Sequence, residues 1–432
     1  MPNGTYFSAF TISKRYNISV MKYIYIFLTT IACMSTYSMS YTKLKAALIL
    51  YVGITFIDFF VRFKTKRLKT IGSFFLEYSK YIWVLVIFSL VIYVFDTSST
   101  SLITRGGEKI IYQTLTIFIA ISTVYEFGEK AIDYTFIGFA LFNFIAMILA
   151  VKDTGSISQV ISDVIYFVTS MGDARGYMRY LELAETTFTF GLFILYFVVD
   201  GPKKHKWQII ISLFFFYTGF KRIGWFGVIS AIAVYFLIRK LDKTKISIIL
   251  KTVMFGYVIF GFAYVVLVRS GLFVQIMNDL DIDMMGRQNL YAYIQDYYKI
   301  SPFFLGHGFE SIRIILAAAG DLKVNDTLIS KLQALHNDYL AMYIQMGFFG
   351  FLAWGYYKFV DVTNFCLKYG KKAGLVMAMA NIYMGMTYLT DNSAMYFLPT
   401  IVLWMLPMMF ALKGDCDERK NKEIAQKNGS ST

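Results

Sequence analysis

A histidine followed by an asparagine and, at a fixed distance, by two glycines is the sharpest local pattern in the sequence. His336 and Asn337 are followed by nine residues, Asp338 to Met346, and then by Gly347-Phe348-Phe349-Gly350. A neutral imidazole can take a proton from a hydroxyl group, and glycines allow helices to approach closely. A histidine that caps a helix beside small-residue packing gives the same pattern, so both interpretations stay open.

Several cations stand in stretches that are otherwise apolar or aromatic. Lys221 and Arg222 interrupt an apolar stretch, and Arg269, Arg287 and Arg313 follow later in the chain. Cations in apolar surroundings are costly unless they are paired, and a guanidinium grips phosphate oxygens in a planar, bidentate manner. These residues predict a binding site for an anion. Snorkelling to lipid headgroups, or an ordinary solvated surface, is the alternative.

A tyrosine-rich stretch and a second histidine accompany the later cations. The stretch contains Tyr291, Tyr293, Tyr297 and Tyr298, and Gly306-His307-Gly308 follows it in a turn-like sequence. Tyrosine rings offer flat amphipathic faces that suit sugar rings, but they are also common where a membrane meets water. We therefore treat Tyr291 and His307, together with Asn337 and Asp338 of the histidine motif, as candidate substrate-binding residues.

The acidic run at positions 279, 281 and 283 is a poor metal site. An EF-hand needs Gly and Glu at the places where this sequence has Met284 and Leu290. The chain has only three histidines, and no P-loop, dinucleotide fingerprint or serine-nucleophile motif is present. We expect no bound metal and no other cofactor.

The composition shows what kind of fold must position these residues. Hydrophobic residues make up 57% of the 432, charged residues 16%, and the mean hydropathy is +0.54. Crossing a hydrocarbon core of roughly 30 Å takes about 20 helical residues, and many apolar runs approach that length. Runs such as 81–95 and 246–268 are apolar on every face, which argues against a barrel. We predict an all-α integral membrane protein with about 12 transmembrane helices.

The predicted spans alternate with basic connections. They are 20–40, 44–61, 78–95, 109–125, 134–151, 186–200, 207–220, 223–238, 246–268, 337–357, 373–390 and 394–412. Lysines and arginines are concentrated at 62–69, 203–206 and 239–245, which indicates cytoplasmic connections and cytoplasmic termini. The net charge of +14 is thus explained by orientation rather than by nucleic-acid binding.

The predicted domain organisation follows from these spans. Residues 1–19 form a cytoplasmic segment, 20–412 a polytopic transmembrane domain, and 413–432 a polar, disordered cytoplasmic tail. A large outer loop covers 269–336 between the ninth and tenth spans, and a shorter outer segment covers 152–185. Long loops commonly carry function, and most of the candidate residues lie in or beside the larger one.

Taken together, these motifs resemble the O-antigen ligase and Wzy-type polysaccharide polymerase superfamily. Its ligase members carry a His, then Asn, Ser or Gln, nine residues and G-x-x-G, a pattern that His336 to Gly350 matches in full. The segment from Ser301 to Gly308 and the pair Gly286-Arg287 are similar to elements that precede it in the family. The motifs cover about 220–350, and the first half of the chain agrees by architecture alone.

The resemblance implies a membrane glycosyltransferase of the GT-C-like type. It would act outside the bacterial cell membrane on sugars carried by undecaprenyl diphosphate, without nucleotide sugar or metal. Arg222 and Arg287 match the family's two essential arginines, which would hold the diphosphate as it leaves. His336 matches the motif histidine, which would activate the acceptor hydroxyl for inversion at the anomeric carbon or contact the diphosphate.

Several functions are compatible with this machinery. We favour polymerisation of repeat units into O-antigen, capsular polysaccharide or exopolysaccharide, because Lys221-Arg222 ahead of an apolar helix resembles the polymerases. The alternative is an O-antigen ligase that transfers the glycan to lipid A core, which the complete histidine motif favours. A protein O-oligosaccharyltransferase, a flippase for lipid-linked oligosaccharides and a scaffold are further alternatives. The expected partners are the lipid-linked donor and acceptor, membrane lipid and a regulator of chain length.

Overall fold

The computed structural model describes most of the chain, and every structural statement below refers to those residues. They are residues 5–61, 65–95, 100–170, 183–219, 221–281, 284, 287–324, 327–332 and 334–429. Almost all of their regular structure is helical, as the apolar sequence predicts. One short antiparallel hairpin, β1 (Lys323–Val324) with β2 (Thr327–Leu328), is an addition that the sequence did not predict.

The helices are numbered in chain order. They are α1 (Thr5–Met34), α2 (Ala46–Val61), α3 (Thr65–Phe95), α4 (Thr100–Phe127), α5 (Ala131–Thr154), α6 (Ile157–Ser170), α7 (Ala184–Asp200), α8 (Lys206–Thr218), α9 (Arg222–Ile238), α10 (Lys243–Arg269), α11 (Leu272–Asp279), α12 (Arg287–Ile294), α13 (Ser311–Ala317), α14 (Asp338–Gly355), α15 (Val362–Lys368), α16 (Lys371–Thr387) and α17 (Phe397–Gly429). A π-helical turn, Tyr356–Asp361, joins α14 to α15.

Four helical segments of the described chain are long and apolar enough to cross a membrane. They are Ile71–Val94, Ile103–Asp153, Lys243–Arg269 and Phe397–Gly414. The second contains both α4 and α5, which a turn at Gly128, with φ of 56°, separates. These segments fit an integral membrane protein. The predicted number of twelve spans is not confirmed, because helices such as α8, with 13 residues, fall short of a full crossing.

One compact unit comprises residues 1–72, 118–221 and 401–432. In it α1 packs along α5, where the Tyr25 hydroxyl lies 2.8 Å from the Thr135 hydroxyl. At the end of α7 the Asp200 carboxylate accepts hydrogen bonds from Lys204 at 3.0 Å and from the His205 ring at 2.8 Å. Lys413 forms a further ion pair with the same carboxylate, so this charge cluster is closed on itself.

The other compact unit comprises residues 73–117 and 222–400, and it contains most of the candidate residues. Its helices α9 and α16 pack closely, since a Cβ atom added at Gly227 would lie 2.9 Å from the Tyr383 ring. Further along the pair, the Lys371 Nζ donates a hydrogen bond to the Leu241 carbonyl at 2.6 Å. Because Gly227 precedes Leu241 whereas Tyr383 follows Lys371, the two helices run antiparallel.

The predicted outer loop, 269–336, is largely ordered by secondary structure. It contains α11, α12, α13 and the β1–β2 hairpin, with short 3-10 turns between them. In the shorter predicted outer segment, 152–185, residues 157–170 form α6, whereas 171–182 lie outside the described residues. Asp283 and Gly286, which the sequence analysis considered, also lie outside them.

The last helix differs from the expectation for the C-terminal segment. The sequence predicts disorder from Lys413 onward, but α17 continues through this residue to Gly429. The segment contains lysine, glutamate, glutamine and alanine, which have high helix propensity, so the backbone can continue a helix that begins in apolar sequence.

Candidate functional site

His336 stands immediately before α14, with an exposed side chain and a left-handed backbone conformation (φ of 52°). Positive φ is uncommon outside glycine, and such strain is concentrated at functional sites. Asn392, which follows α16, contacts it twice. The Asn392 Oδ1 accepts the His336 backbone N–H at 2.9 Å, and the Asn392 Nδ2 lies 3.3 Å from the His336 Nδ1. One side chain therefore holds both the backbone and the ring of His336.

Asn337 is the N-cap of α14. Its Oδ1 accepts the backbone N–H of Leu340 at 3.1 Å, which satisfies one of the donors that a helix start leaves open. Its Nδ2 donates to the Tyr291 hydroxyl at 3.4 Å. Asn337 and Tyr291 are both buried, so each has a positioning contact. Helix capping thus describes Asn337, and substrate binding by either residue stays a prediction.

Arg287 is the first residue of α12 and is half-buried. Tyr291 lies four residues later on the same helix, and residues with this spacing share a helix face. The contact between Tyr291 and Asn337 therefore brings the Arg287 face of α12 to the start of α14, beside His336. Among the described residues, no carboxylate forms an ion pair with Arg287.

Arg222 is the first residue of α9 and is exposed. It lies five residues before Gly227, and Tyr388 lies five residues after Tyr383 on the antiparallel helix α16. At a rise of about 1.5 Å per residue, the antiparallel pairing brings Arg222 level with Tyr388. The Tyr388 carbonyl accepts the backbone N–H of Asp338 at 2.8 Å. The end of α16 thus joins the starts of α9 and α14.

Asp338, a predicted substrate-binding residue, is buried directly behind His336. Its Oδ2 accepts the backbone N–H of Ala394 at 2.7 Å, and its side chain is close enough to the buried Lys358 for an electrostatic interaction. Lys358 lies on the π-helical turn, and the sequence analysis did not select it. Buried ionisable groups in membrane proteins are expensive and are commonly functional, as are π-helical turns. Asp338 therefore supports the site from within the unit.

Two of the remaining predicted cations, Arg269 and Arg313, interact with other groups of the predicted outer loop. The Arg269 Nε donates to the Tyr298 carbonyl at 3.3 Å, and its guanidinium lies 5.9 Å from the Tyr298 ring centroid. Arg313 lies near Glu310, and burial raises the pKa of the Glu310 carboxyl despite nearby cations that lower it. Lys221 immediately precedes α9 and is half-buried. A role for these three cations in anion binding stays a prediction.

The tyrosines of the tyrosine-rich stretch mostly contact other residues of the same protein. The Tyr293 hydroxyl lies 2.9 Å from the Tyr297 hydroxyl and donates to the Ile315 carbonyl at 2.7 Å. Burial, together with the interaction with the Tyr297 hydroxyl, raises the pKa of Tyr293 to about 12. Tyr298 is buried, and burial raises its pKa as well. These contacts give the tyrosines a structural role in the segment.

His307 belongs to a segment that fills a break in α14. The backbone N–H groups of His307 and Gly308 donate to the carbonyls of Ile344 and Gln345 at 3.0 Å and 2.9 Å. The His307 Nε2 lies 2.6 Å from the Tyr297 carbonyl, which can only accept, so this nitrogen donates. These bonds satisfy the interrupted helix, and they give His307 a structural contact beside its predicted binding role.

The break itself explains the first glycine of the histidine motif. Gly347 has φ of 68° and ψ of −170°, and a Cβ atom there would lie 2.3 Å from the Leu305 carbonyl carbon. A Cβ atom at Gly306 would lie 2.5 Å from the Gln345 carbonyl oxygen. The interpretation of close helix approach is therefore wrong for Gly347. It holds for Gly350, where a Cβ atom would lie 3.0 Å from the Phe88 ring.

Sequence reasoning missed the segment that organises the site. Asn392 holds His336, while the Asp391 Oδ1 accepts the Tyr396 hydroxyl at 2.6 Å and the Asn392 backbone N–H at 2.8 Å. A signal was present, because Thr390-Asp391-Asn392-Ser393 is a polar cluster between two apolar helices. Polar clusters in such positions commonly mark function in membrane proteins.

The fold and the site together describe a largely helical protein with long apolar segments, in which an exposed, strained histidine precedes α14 and two of the predicted arginines begin α9 and α12. Residues 208–355, about a third of the chain, match the family model described as O-antigen ligase. They include α9 to α14, and with them Arg222, Arg287 and His336. No curated protein matches the sequence.

The match confirms the resemblance predicted from the motifs. Residues 208–355 are similar to the O-antigen ligase family, whose members are glycosyltransferase-like enzymes, and the four long apolar helical segments of the described chain fit a multi-pass membrane protein.

Proposed function

We propose that this protein polymerises oligosaccharide repeat units carried on undecaprenyl diphosphate. The observation that supports the proposal is the exposed His336, which Asn392 holds at the start of α14, together with the Asn337–Tyr291 contact that links this start to α12, the helix that Arg287 begins. We infer that Arg222 and Arg287 lie near His336, and two guanidinium groups with an imidazole suit a ligand that combines a diphosphate with sugar hydroxyls.

The reaction would be an inverting glycosyl transfer that needs no metal. The acceptor hydroxyl attacks the anomeric carbon of the donor, and the bond from that carbon to the diphosphate oxygen breaks. Negative charge develops on the departing diphosphate, so preorganised cations stabilise the transition state more than the ground state. Arg222 and Arg287 are the residues that we assign to this task.

His336 has two possible tasks in this scheme. It takes the proton of the acceptor hydroxyl as a general base, or it contacts the diphosphate and helps it to leave. Either task requires an exposed ring that is held in a fixed orientation, which the two contacts from Asn392 provide.

We place the reaction on the outer face of the cell membrane, where the lipid-linked repeat unit is both donor and growing acceptor. The cationic site would face the periplasm or the cell exterior, and the products would be O-antigen, capsular polysaccharide or exopolysaccharide. A separate protein that sets chain length is the macromolecular partner that such a polymerase would use. Wild-type protein with and without that partner should differ in product length rather than in initial rate.

Reconstitution of the purified protein tests the proposal. The protein is placed in vesicles with its undecaprenyl-diphosphate repeat unit, EDTA and no nucleotide, and the lipid-linked sugars are separated on a gel. A ladder of longer chains is the expected result. Absence of a ladder in the presence of abundant, folded protein would contradict the polymerase function.

The second candidate is an O-antigen ligase. The complete histidine motif and the description of the matching family favour it. The same vesicles supplied with lipid A core distinguish the two functions, because a ligase would transfer the glycan to the core without forming a ladder. A lipid-linked oligosaccharide flippase would do neither, and would instead move the labelled donor across the vesicle membrane.

A further inference from the structure

We propose that Asn392 is a positioning residue that fixes the His336 ring with its proton on Nε2, so that His336 donates a hydrogen bond to the diphosphate and is not the general base. The inference rests on the proposed function for the identity of the ligand. Its geometric part, the position of the ring proton, stands independently of the reaction. The following observations carry it.

The orientation of the Asn392 amide follows from its backbone contact. A backbone N–H can only donate, so the atom of Asn392 that lies 2.9 Å from the His336 nitrogen must be the oxygen. The other terminal atom of the amide, 3.3 Å from the His336 Nδ1, is then the NH2 group. No other assignment of the amide satisfies both contacts.

The amide orientation in turn determines the tautomer of a neutral His336. An NH2 group only donates, so the Nδ1 that faces it must carry the lone pair. A neutral imidazole has one lone pair and one N–H, and the proton is therefore on Nε2. With this tautomer, the only basic nitrogen of the ring is occupied by Asn392. The ring can offer Nε2–H to an acceptor atom, but it cannot take a proton at that position.

A phosphate oxygen is the acceptor that the site provides for such a donor. Arg222 and Arg287 are the first residues of α9 and α12, and in the proposed site they would supply, together with Nε2–H, hydrogen-bond donors to one anionic group. The strained backbone of His336 supports a fixed orientation, because the conformation is costly and one side chain, Asn392, compensates at both the backbone and the ring.

The proton of the acceptor hydroxyl must then leave by another route. The acceptor oxygen forms a bond to the anomeric carbon while the bond to the diphosphate oxygen breaks, and that oxygen keeps the electron pair. Inversion requires attack from the face opposite the diphosphate, so we assign the hydroxyl proton to water at the exposed site and not to the departing group. The products are then the glycoside, undecaprenyl diphosphate and a proton released to solvent, with no proton left on the enzyme.

The elements around His336 carry several ionisable groups. They include Asp391 and Tyr396 on the segment of Asn392, Tyr388 directly after α16, Asp338 on α14, and Arg287 and Tyr291 on α12. Both carboxylates accept hydrogen bonds from other groups: Asp391 from Tyr396 and Asp338 from the Ala394 backbone. The Nδ1 of His336 faces the uncharged amide of Asn392, and replacing this amide by a carboxylate is therefore a sharp perturbation.

The tautomer can be measured directly by nitrogen NMR. The protein contains three histidines, so protein labelled with ¹⁵N at histidine gives few signals, and the His336→Asn variant identifies those of His336. At a pH where the ring is neutral, we expect the protonated-type shift at Nε2 and the unprotonated-type shift at Nδ1. The opposite assignment would overturn the inference, and it would leave the proposed function unaffected.

The Asn392→Asp variant tests the consequence for the reaction. A carboxylate still accepts the His336 backbone N–H, but its second oxygen now requires a proton on Nδ1. A neutral ring then loses its Nε2–H, so we expect at least a tenfold, and up to roughly a hundredfold, slower rate than wild type at pH 8.5. Relative to wild type, the rate should recover as the pH is lowered, because the imidazolium again carries Nε2–H.

If His336 were the general base, the Asn392→Asp variant should show the opposite change in rate with pH. An aspartate on Nδ1 would leave the Nε2 lone pair free to accept a proton, so Asn392→Asp would match or exceed wild type at pH 8.5 and lose rate as the pH falls. That outcome would overturn the inference. Asn278→Asp, an exposed position on α11, is the matched control and should follow the wild-type profile. If wild type forms no product with either acceptor, the proposed function fails, while the NMR result still decides the tautomer.

Discussion

Two histidines of this protein stand in contrasting surroundings: His205 is buried in a cluster of paired charges, whereas His336 is exposed. His205 is buried, with 3% of its surface exposed, and its ring contacts the Asp200 carboxylate, which Lys204 and Lys413 also contact. His336 is exposed and has a strained backbone conformation, and its ring contacts the neutral amide of Asn392. The first arrangement satisfies its charges internally, whereas the second leaves an oriented ring at the surface.

The difference indicates which feature separates a structural histidine from a functional one. A carboxylate partner and burial fix a ring for stability, because breaking such a contact leaves a buried group without its partner. An amide partner orients a ring and selects its tautomer without placing a charge beside it. The cations near Asp200 contact its carboxylate, whereas the predicted anion-binding residues Arg222 and Arg287 are the first residues of α9 and α12.

The largest effect should come from exchanging each histidine for asparagine. His336→Asn keeps a residue type that tolerates positive φ, so the protein should fold normally while the transfer rate falls at least roughly a hundredfold. His205→Asn should leave the rate per folded molecule unchanged and lower the free energy of unfolding by about 1–3 kcal/mol. Rate and thermal stability of both variants in the same detergent test the comparison. Equal effects on the rate would contradict it.

Gly347→Ala should destabilise the break in α14, the helix that follows His336. The added methyl group collides with the Leu305 backbone, and the residue has φ of 68°, so we expect a loss of about 2–5 kcal/mol. Gly53→Ala in α2 is the matched control, because no atom lies within 4 Å of the added methyl group. Thermal denaturation in detergent measures both. A melting temperature of Gly347→Ala equal to that of Gly53→Ala would refute the proposed role of the break.

Arg287→Lys separates bidentate phosphate contact from simple charge. Lysine keeps the positive charge but loses the planar fork, so the transfer rate should fall by about tenfold while Arg287→Ala falls by about a hundredfold. Initial rates at saturating donor measure the difference. Full activity of the lysine variant would show that charge alone is sufficient at this position.

The smallest expected effect concerns the buried carboxyl of Glu310. Burial raises its folded-state pKa, so the folded protein binds this proton more tightly than the unfolded chain. The protonated Glu310 carboxyl contributes to the free energy of unfolding below the unfolded-state pKa, and this contribution is lost as the pH rises through the higher folded-state pKa. Glu310→Gln should therefore show a smaller decrease in stability over this range than wild type. Parallel pH profiles of thermal stability would disprove the assignment.

Local sequence predicted the parts of the site that lie close together in the chain. His336 and Asn337 are adjacent, and the nine-residue spacing to Gly347 points to a helix that begins at Asp338. The contacts of these residues to Tyr291 and Asn392 span 46 and 56 residues, and no local pattern specifies such pairings. The break at Gly347 was missed for a related reason, since a glycine in an apolar helix is usually explained by packing.

The apolar runs likewise predicted the fold class better than the number of spans. Composition alone distinguishes a helical membrane protein from a soluble one, and the four long apolar segments agree with it. The ends of shorter helices depend on tertiary contacts and on turns such as the one at Gly128, and hydropathy does not specify these.

The most direct test of the account compares the two arginines at opposite ends of α9. Arg222 begins the helix at the candidate site, whereas Arg239 follows its other end and is also exposed. Vesicles containing wild type, Arg222→Ala or Arg239→Ala are supplied with the undecaprenyl-diphosphate repeat unit in EDTA, and the lipid-linked sugars are separated on a gel. We predict a full ladder for wild type and Arg239→Ala and none for Arg222→Ala. A normal ladder from Arg222→Ala would contradict the central claim that this end of the protein holds the departing diphosphate.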